Sequence, residues 1–141
     1  MKKLIFITVI AFGLGSIGCK TQKVESDYTR LSESTWNVID LEKKVVEKTQ
    51  NNPFITFDTN EMRVSGSGGC NRISGTFKSQ PNSDQISFSQ MITTRMACLN
   101  METENTFLNL IGKVSFFKIE NDTLTLYDSN RNELISLIKN K

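Results

Sequence analysis

Beyond Thr35 the apolar side chains come in short alternating runs closed off by turn residues, and a single stretch holds a helical period. That pattern restricts the chain to a β-rich fold with one helix. Trp36 to Leu41 alternates, with Trp36, Val38 and Leu41 on its inward side. A second strand is expected around Val45-Val46, within residues 43–49, before the turn chemistry of Asn51-Asn52-Pro53. Phe54 to Phe57 and Met62 to Ser65 read as a hairpin across Asp58-Thr59-Asn60. Ile73–Phe77, Gln85–Phe88, Val114–Glu120, Thr123–Tyr127 and Leu134–Ile138 supply further strands, with a loop over 78–84. The helical stretch starts at Asn100, a good N-cap, and places Glu102 and Glu104 where the helix dipole favours acids. Met101, Glu104, Phe107, Leu108 and Ile111 share one face that ends near Gly112. The sum is a fold of the α+β class with about eight strands, a curved antiparallel sheet whose inner face one helix can plug.

The N-terminal end reads as an address. Met1-Lys2-Lys3 is a basic start, residues 4–15 are uncharged and mostly apolar, and Ser16-Ile17-Gly18-Cys19 follows. The apolar run is shorter than the roughly 20 residues a membrane span needs and has the length of a secretory signal. Cys19 directly after a small Gly resembles the lipobox of bacterial lipoproteins, in which the thiol is diacylated and becomes the new N-terminus. The competing reading is an ordinary signal peptide that leaves a chance cysteine. The expected organisation is therefore a lipoprotein signal over 1–18, a flexible tether over 19–34 and a folded domain over 35–141. Two or three acyl chains at Cys19 anchor stably where one does not.

Composition narrows the chemistry. The 141 residues suit one domain. There is no histidine, which removes the commonest general base and metal ligand together with every Ser-His or Cys-His nucleophile scheme. Of 17 basic side chains two, Lys2 and Lys3, lie in the leader, so the remainder balances the 15 acidic ones. A neutral chain of this kind is a poor binder of nucleic acid. The carboxylates are dispersed and offer no acid/base pair, so no catalytic residue, metal site or cofactor is assigned.

The least ordinary segment is Gly66-Ser67-Gly68-Gly69-Cys70-Asn71-Arg72, where glycines permit left-handed backbone or a close approach by another segment. It is not a phosphate loop, because it lacks the Lys and the following helix. Together with Ile73-Ser74-Gly75 and the later Thr93-Thr94-Arg95-Met96-Ala97-Cys98, it resembles the META/HslJ domain family. Trp36, Phe54-Ile55-Thr56-Phe57-Asp58, Glu104, Phe107, Leu110 and Leu124-Thr125-Leu126 support the likeness, which covers about residues 35–141. The resemblance implies an incomplete antiparallel barrel wrapped around a helix, and small envelope lipoproteins linked in some members to heat shock, stress or motility, with no enzymatic activity established for the class.

If Cys19 carries lipid, Cys70 and Cys98 remain, and in an oxidising compartment an even pair reads first as a disulfide; two free buried thiols are the alternative. No C-x-x-C is present, so redox catalysis has no support. Asn71 can bond neighbouring backbone in a turn or face a ligand. Arg95 can fork onto loop carbonyls or a carboxylate, or hold an anion, with the structural use preferred. Gly69, Asn71, Arg72, Gly75, Thr94 and Arg95 are thus the candidate structural or binding motif. The leading functional expectation is a non-catalytic, lipid-anchored envelope protein that offers a groove or sheet edge to a protein or peptide. The second is a carrier of small apolar ligands in a cavity lined by Phe54, Phe88, Phe107 and Phe117. The third, an enzyme, needs Cys70 or Cys98 exposed beside a carboxylate and an Arg.

Overall fold

A computed structural model describes residues 26–48 and 51–140; the leader and Cys19 lie outside the described residues. The elements are α1 (Asp27–Leu31), β1 (Trp36–Leu41), β2 (Lys44–Val45), β3 (Phe54–Asp58), β4 (Arg63–Ser67), β5 (Arg72–Ser79), β6 (Ile86–Phe88), β7 (Ile92–Thr93), α2 (Glu102–Ile111), β8 (Phe116–Glu120), β9 (Thr123–Tyr127) and β10 (Glu133–Lys139). Eight strands form one antiparallel path in the order β6-β5-β4-β3-β1-β10-β9-β8, while β2 and β7 pair with β1 and β5 off that path.

The two ends of the path meet. Ile86 N–H donates to the Ser115 carbonyl at 3.1 Å and Phe117 N–H to the Asp84 carbonyl at 2.8 Å, with a bridge between Gln85 and Phe116. The barrel is therefore nearly closed. This agrees with the expected eight-stranded antiparallel barrel around a helix, in which the edge groups of β6 and β8 bond each other.

Alternation places one set of side chains inside. Trp36, Val38, Ile55, Phe77, Phe107, Phe117, Leu124, Leu126, Ile135 and Leu137 are all buried, each worth about 1.5–3 kcal/mol relative to exposure. Phe57 meets Phe77 edge-on at 5.3 Å between ring centroids. From α2, the residues Glu104, Phe107, Leu110 and Ile111 face inward. Asn100 sits one residue outside the helix, with Met101 at the N-cap position, and its Oδ1 accepts the Glu102 N–H at 2.9 Å. The β3–β4 hairpin turns on Asp58, whose Oδ1 accepts the N–H groups of Asn60 and Glu61 at 3.0 Å each.

The segment expected to be a tether is folded from Asp27 onward. Leu31 is fully buried, and its carbonyl accepts the Trp36 Nε1–H at 2.8 Å. Asp27 Oδ2 accepts the Ile119 N–H at 3.1 Å, Arg30 donates to the carbonyls of Ile119 and Asn121, and Tyr28 donates to the Thr59 carbonyl at 3.1 Å. Helix α1 thereby closes the end of the barrel at the β3–β4 and β8–β9 turns. Leu31 is the one residue of α1 that is buried, in a stretch dominated by polar side chains, which is why pattern reading passes over it. Leu31→Ala should lower unfolding free energy by about 2–5 kcal/mol in denaturant titration; a change below about 0.5 kcal/mol would restore the tether reading.

Candidate functional site

The turn between β4 and β5 is built around a buried carboxylate. Gly68 N–H donates to the Asn71 carbonyl at 2.9 Å, and Ser67 Oγ both donates to that carbonyl and accepts the Gly69 N–H at 3.1 Å. Gly69 has φ +118°, a backbone that a side chain would strain. At Gly68 a Cβ would stand 2.5 Å from Glu104 Cγ and 2.8 Å from Oε2. The bare backbone there is what lets the first turn of α2 bring its acid up against the turn.

Glu104 is 3% exposed and Asn71 2%. Glu104 Oε2 accepts the backbone N–H of Asn71 at 2.7 Å and of Cys70 at 3.0 Å, and Oε1 accepts Asn71 Nδ2–H at 2.7 Å. Asn71 Oδ1 accepts the Thr94 hydroxyl at 2.9 Å and the Met96 N–H at 2.7 Å. Thr94 Oγ1 in turn accepts the Arg72 N–H at 3.1 Å. One asparagine thus ties three segments together: its amide nitrogen faces the acid and its oxygen faces the 94–96 loop. Burial pushes the Glu104 carboxyl up, but the Asn71 backbone and side-chain bonds, with Cys70, outweigh it and hold the group below its ordinary value of 4.5.

The structure joins Cys70 and Cys98, with Cα atoms 6.3 Å apart and a sequence separation of 28. Closing that loop removes roughly 3–4 kcal/mol of unfolded-state entropy. The bridge adds a covalent tie between the two segments that Asn71 already links. The sulfurs bond each other, and three N–H groups occupy the Glu104 carboxylate, so the cluster holds a structural acid beside an oxidised pair.

Gly69, Asn71 and Thr94 all belong to this cluster, and Arg72 joins it through its backbone alone, its side chain being exposed. Gly75 lies apart in β5 opposite Val64, where a Cβ would stand 2.7 Å from Met91 Sδ. Arg95 corrects its expectation: it is exposed and forks onto no carbonyl or carboxylate among the described residues. The Asn71 and Arg72 carbonyls find the N–H groups of Gly68 and Thr94, and the acid finds those of Cys70 and Asn71. The residue that motif reading underrated is Glu104, whose signal was an acid within the inward stripe of an otherwise apolar helix face.

The four rings assigned to an internal cavity do not share one. Phe107 and Phe117 are buried in the core, Phe88 packs on Phe57 at 6.1 Å, and Phe54 lines an outer groove. That groove, of about 2300 Å³, crosses the outer face of β1, β3, β4 and β5. Its floor includes the hydrogen-bonded pair Thr56 and Ser65, 3.0 Å apart. Its sides carry Val45, Ile92, Met96 and Ile138, which are 82%, 72%, 58% and 41% exposed. Small-ligand pockets hold roughly 300–1,000 Å³; this is an open surface on a larger scale. Among the described residues no His, Cys, Asp and Glu group could hold a metal ion, and no helix is long and apolar enough to cross a membrane.

Two outcomes follow from the buried acid. Its depressed value means that its contribution is complete above the unfolded-chain value near 4.5 and is lost as pH falls through the lower native value. Unfolding free energy should therefore drop more steeply below about pH 4.5 in the wild type than in Glu104→Gln; parallel pH profiles would contradict this. Asp128, also held low by Asn132, titrates in both proteins and cancels. Gly68→Ala should cost about 1–3 kcal/mol, since the pinned acid cannot step aside, and an unchanged denaturation midpoint would contradict the close approach.

Comparison with known proteins agrees with this architecture. A family model described as the META domain matches residues 29–141, a range that begins inside α1. No curated protein matches. Among solved structures, a protein determined by NMR is 23% identical with a TM-score of 0.62, covering 79% of this chain and 93% of its own. A crystal structure of a DUF4847 family protein from Bacteroides vulgatus is 16% identical with a TM-score of 0.60, covering 82% and 98%. An NMR structure of a protein from Burkholderia xenovorans is also 16% identical, with a TM-score of 0.63 and coverage of 100% and 99%. These likenesses concern the fold. With the family match spanning α1 through β10, the chain belongs to the META domain family.

Proposed function

We propose that this chain is a non-catalytic, lipid-anchored protein of the bacterial cell envelope whose outer groove receives a protein or peptide. The observation that carries the binding reading is the groove itself. Four exposed apolar side chains, Val45, Ile92, Met96 and Ile138, stand around one concavity. Isolated surface apolar residues are ordinary, but their collection around one depression is the pattern of a contact surface. The nearly closed barrel behind it is already formed, which limits the entropy lost on association. Small residues on the floor, Thr56, Ser65 and Ser74, let an extended backbone come close.

The anchoring half of the proposal rests on the leader: a basic start, a short apolar run and Cys19 after Gly18. A lipid at Cys19 would confine the groove to the membrane surface, where an envelope partner is met at high effective concentration. A role under envelope stress belongs to the same proposal and rests on the family resemblance alone.

A photo-reactive residue in place of Ile92 in the full-length protein should give a discrete cross-linked species in intact membranes. The same probe at exposed Asn130, outside the groove, should not. Cross-links of equal yield at both sites, or at neither, would overturn the groove reading. Cys19→Ser should abolish incorporation of labelled fatty acid and release the protein from the membrane fraction, and retention of both would overturn the anchor.

A further inference from the structure

The Cys70–Cys98 bridge is unequal at its two ends. Cys98 is exposed, and residues 94–101 contain neither helix nor strand. On either side of it Met96 is 58% exposed and Leu99 fully so. Cys70 is half-buried, and its backbone N–H is held by Glu104 at 3.0 Å. The turn that carries Cys70 is held by hydrogen bonds among Glu104, Asn71 and the Cys70 backbone that do not involve the sulfurs. The segment that carries Cys98 is tied to that turn at Thr94, which bonds Arg72 and Asn71, and at Met96, whose N–H reaches Asn71; residues 97–99 lie beyond those ties and are exposed. One sulfur is thus built into the domain and the other is presented to solvent on an irregular loop.

We infer that this bridge is a thiol–disulfide exchange site, attacked at Cys98 by a dithiol reductant, and that reduction releases the loop over 94–100 while the barrel stays folded. The attacking thiolate forms a bond to Cys98 Sγ, the Sγ–Sγ bond breaks, and the electron pair leaves on Cys70 Sγ, which takes a proton from water. The second sulfur of the dithiol, once deprotonated, then displaces Cys98. The reductant ends as a disulfide and the protein gains two hydrogens. Access decides which sulfur is taken, since the attacking group must reach it. The exposed apolar side chains of Met96 and Leu99 flanking the sulfur also give a dithiol protein something to hold. The chain is here the substrate of the exchange, and the inference stands whether or not the groove receives a partner.

Dithiothreitol serves as the probe, applied to the intact oxidised protein without denaturant. Thiols are counted by alkylation and mass spectrometry while amide hydrogen exchange is followed. Both thiols should appear, with protection lost at the Thr94 and Met96 amides and kept in β1, β3, β4 and β5. A bridge that yields only after denaturant is added, or protection lost across the barrel, overturns the inference. In the single-thiol variants, Cys98 in Cys70→Ser should be captured by glutathione disulfide roughly tenfold faster than Cys70 in Cys98→Ser. Equal or reversed rates overturn the assignment of the attacked sulfur, and the wild-type reduction reads the loop release even if one variant fails to fold.

Discussion

A carboxylate taken out of water must be compensated group by group, and the arrangement around Glu104 follows from that requirement. Its charge is met by three N–H donors from two adjacent residues, Cys70 and Asn71, with the N-terminal end of α2 behind it. Meeting it this way forces the β4–β5 turn to present its amides inward. That needs a bare backbone at Gly68 and a left-handed residue at Gly69. It also needs Asn71 to be buried, and its remaining oxygen then recruits Thr94 and Met96. The glycine motif, the helix and the later loop are one electrostatic unit rather than three features.

How much of this could be read in the residues differs by element. Short apolar runs bounded by turn residues made β1, β3 and β9 legible, because each buries one set of side chains against the core. The inward face of α2 was legible too, from Met101 through Ile111. Helix α1 was not: its one buried side chain, Leu31, contributes no period, and its hold on the barrel runs through Asp27 and Arg30 to distant carbonyls. The two-residue strand β7 was also hidden, since it exists only because Ile73 and Ser74 leave an edge for Ile92 and Thr93 to fill. Barrel closure between β6 and β8 depends on curvature, which no local pattern encodes.

The candidate site was legible as a motif and illegible as a mechanism. Gly69, Asn71 and Thr94 stand out by composition and by resemblance, and geometry brings them together. The acid that Asn71 meets lies 33 positions downstream on a helix, where it reads as an acid favoured by the dipole. Arg95 stands out equally, yet it is exposed, and the buried acid is met by the Cys70 and Asn71 N–H groups instead. A conspicuous residue type marks a segment; burial decides which member of the segment is used.

The central claim is that Glu104 and Asn71 act as a single buried unit. A double-mutant cycle between Glu104→Ala and Asn71→Ala, followed by denaturant unfolding, measures it directly. Each single change strands the other's polar atoms, so the double variant should be less destabilised than the sum of the two by about 1.5–3 kcal/mol. Additivity to within about 0.5 kcal/mol would show that the two residues contribute independently and would contradict the account.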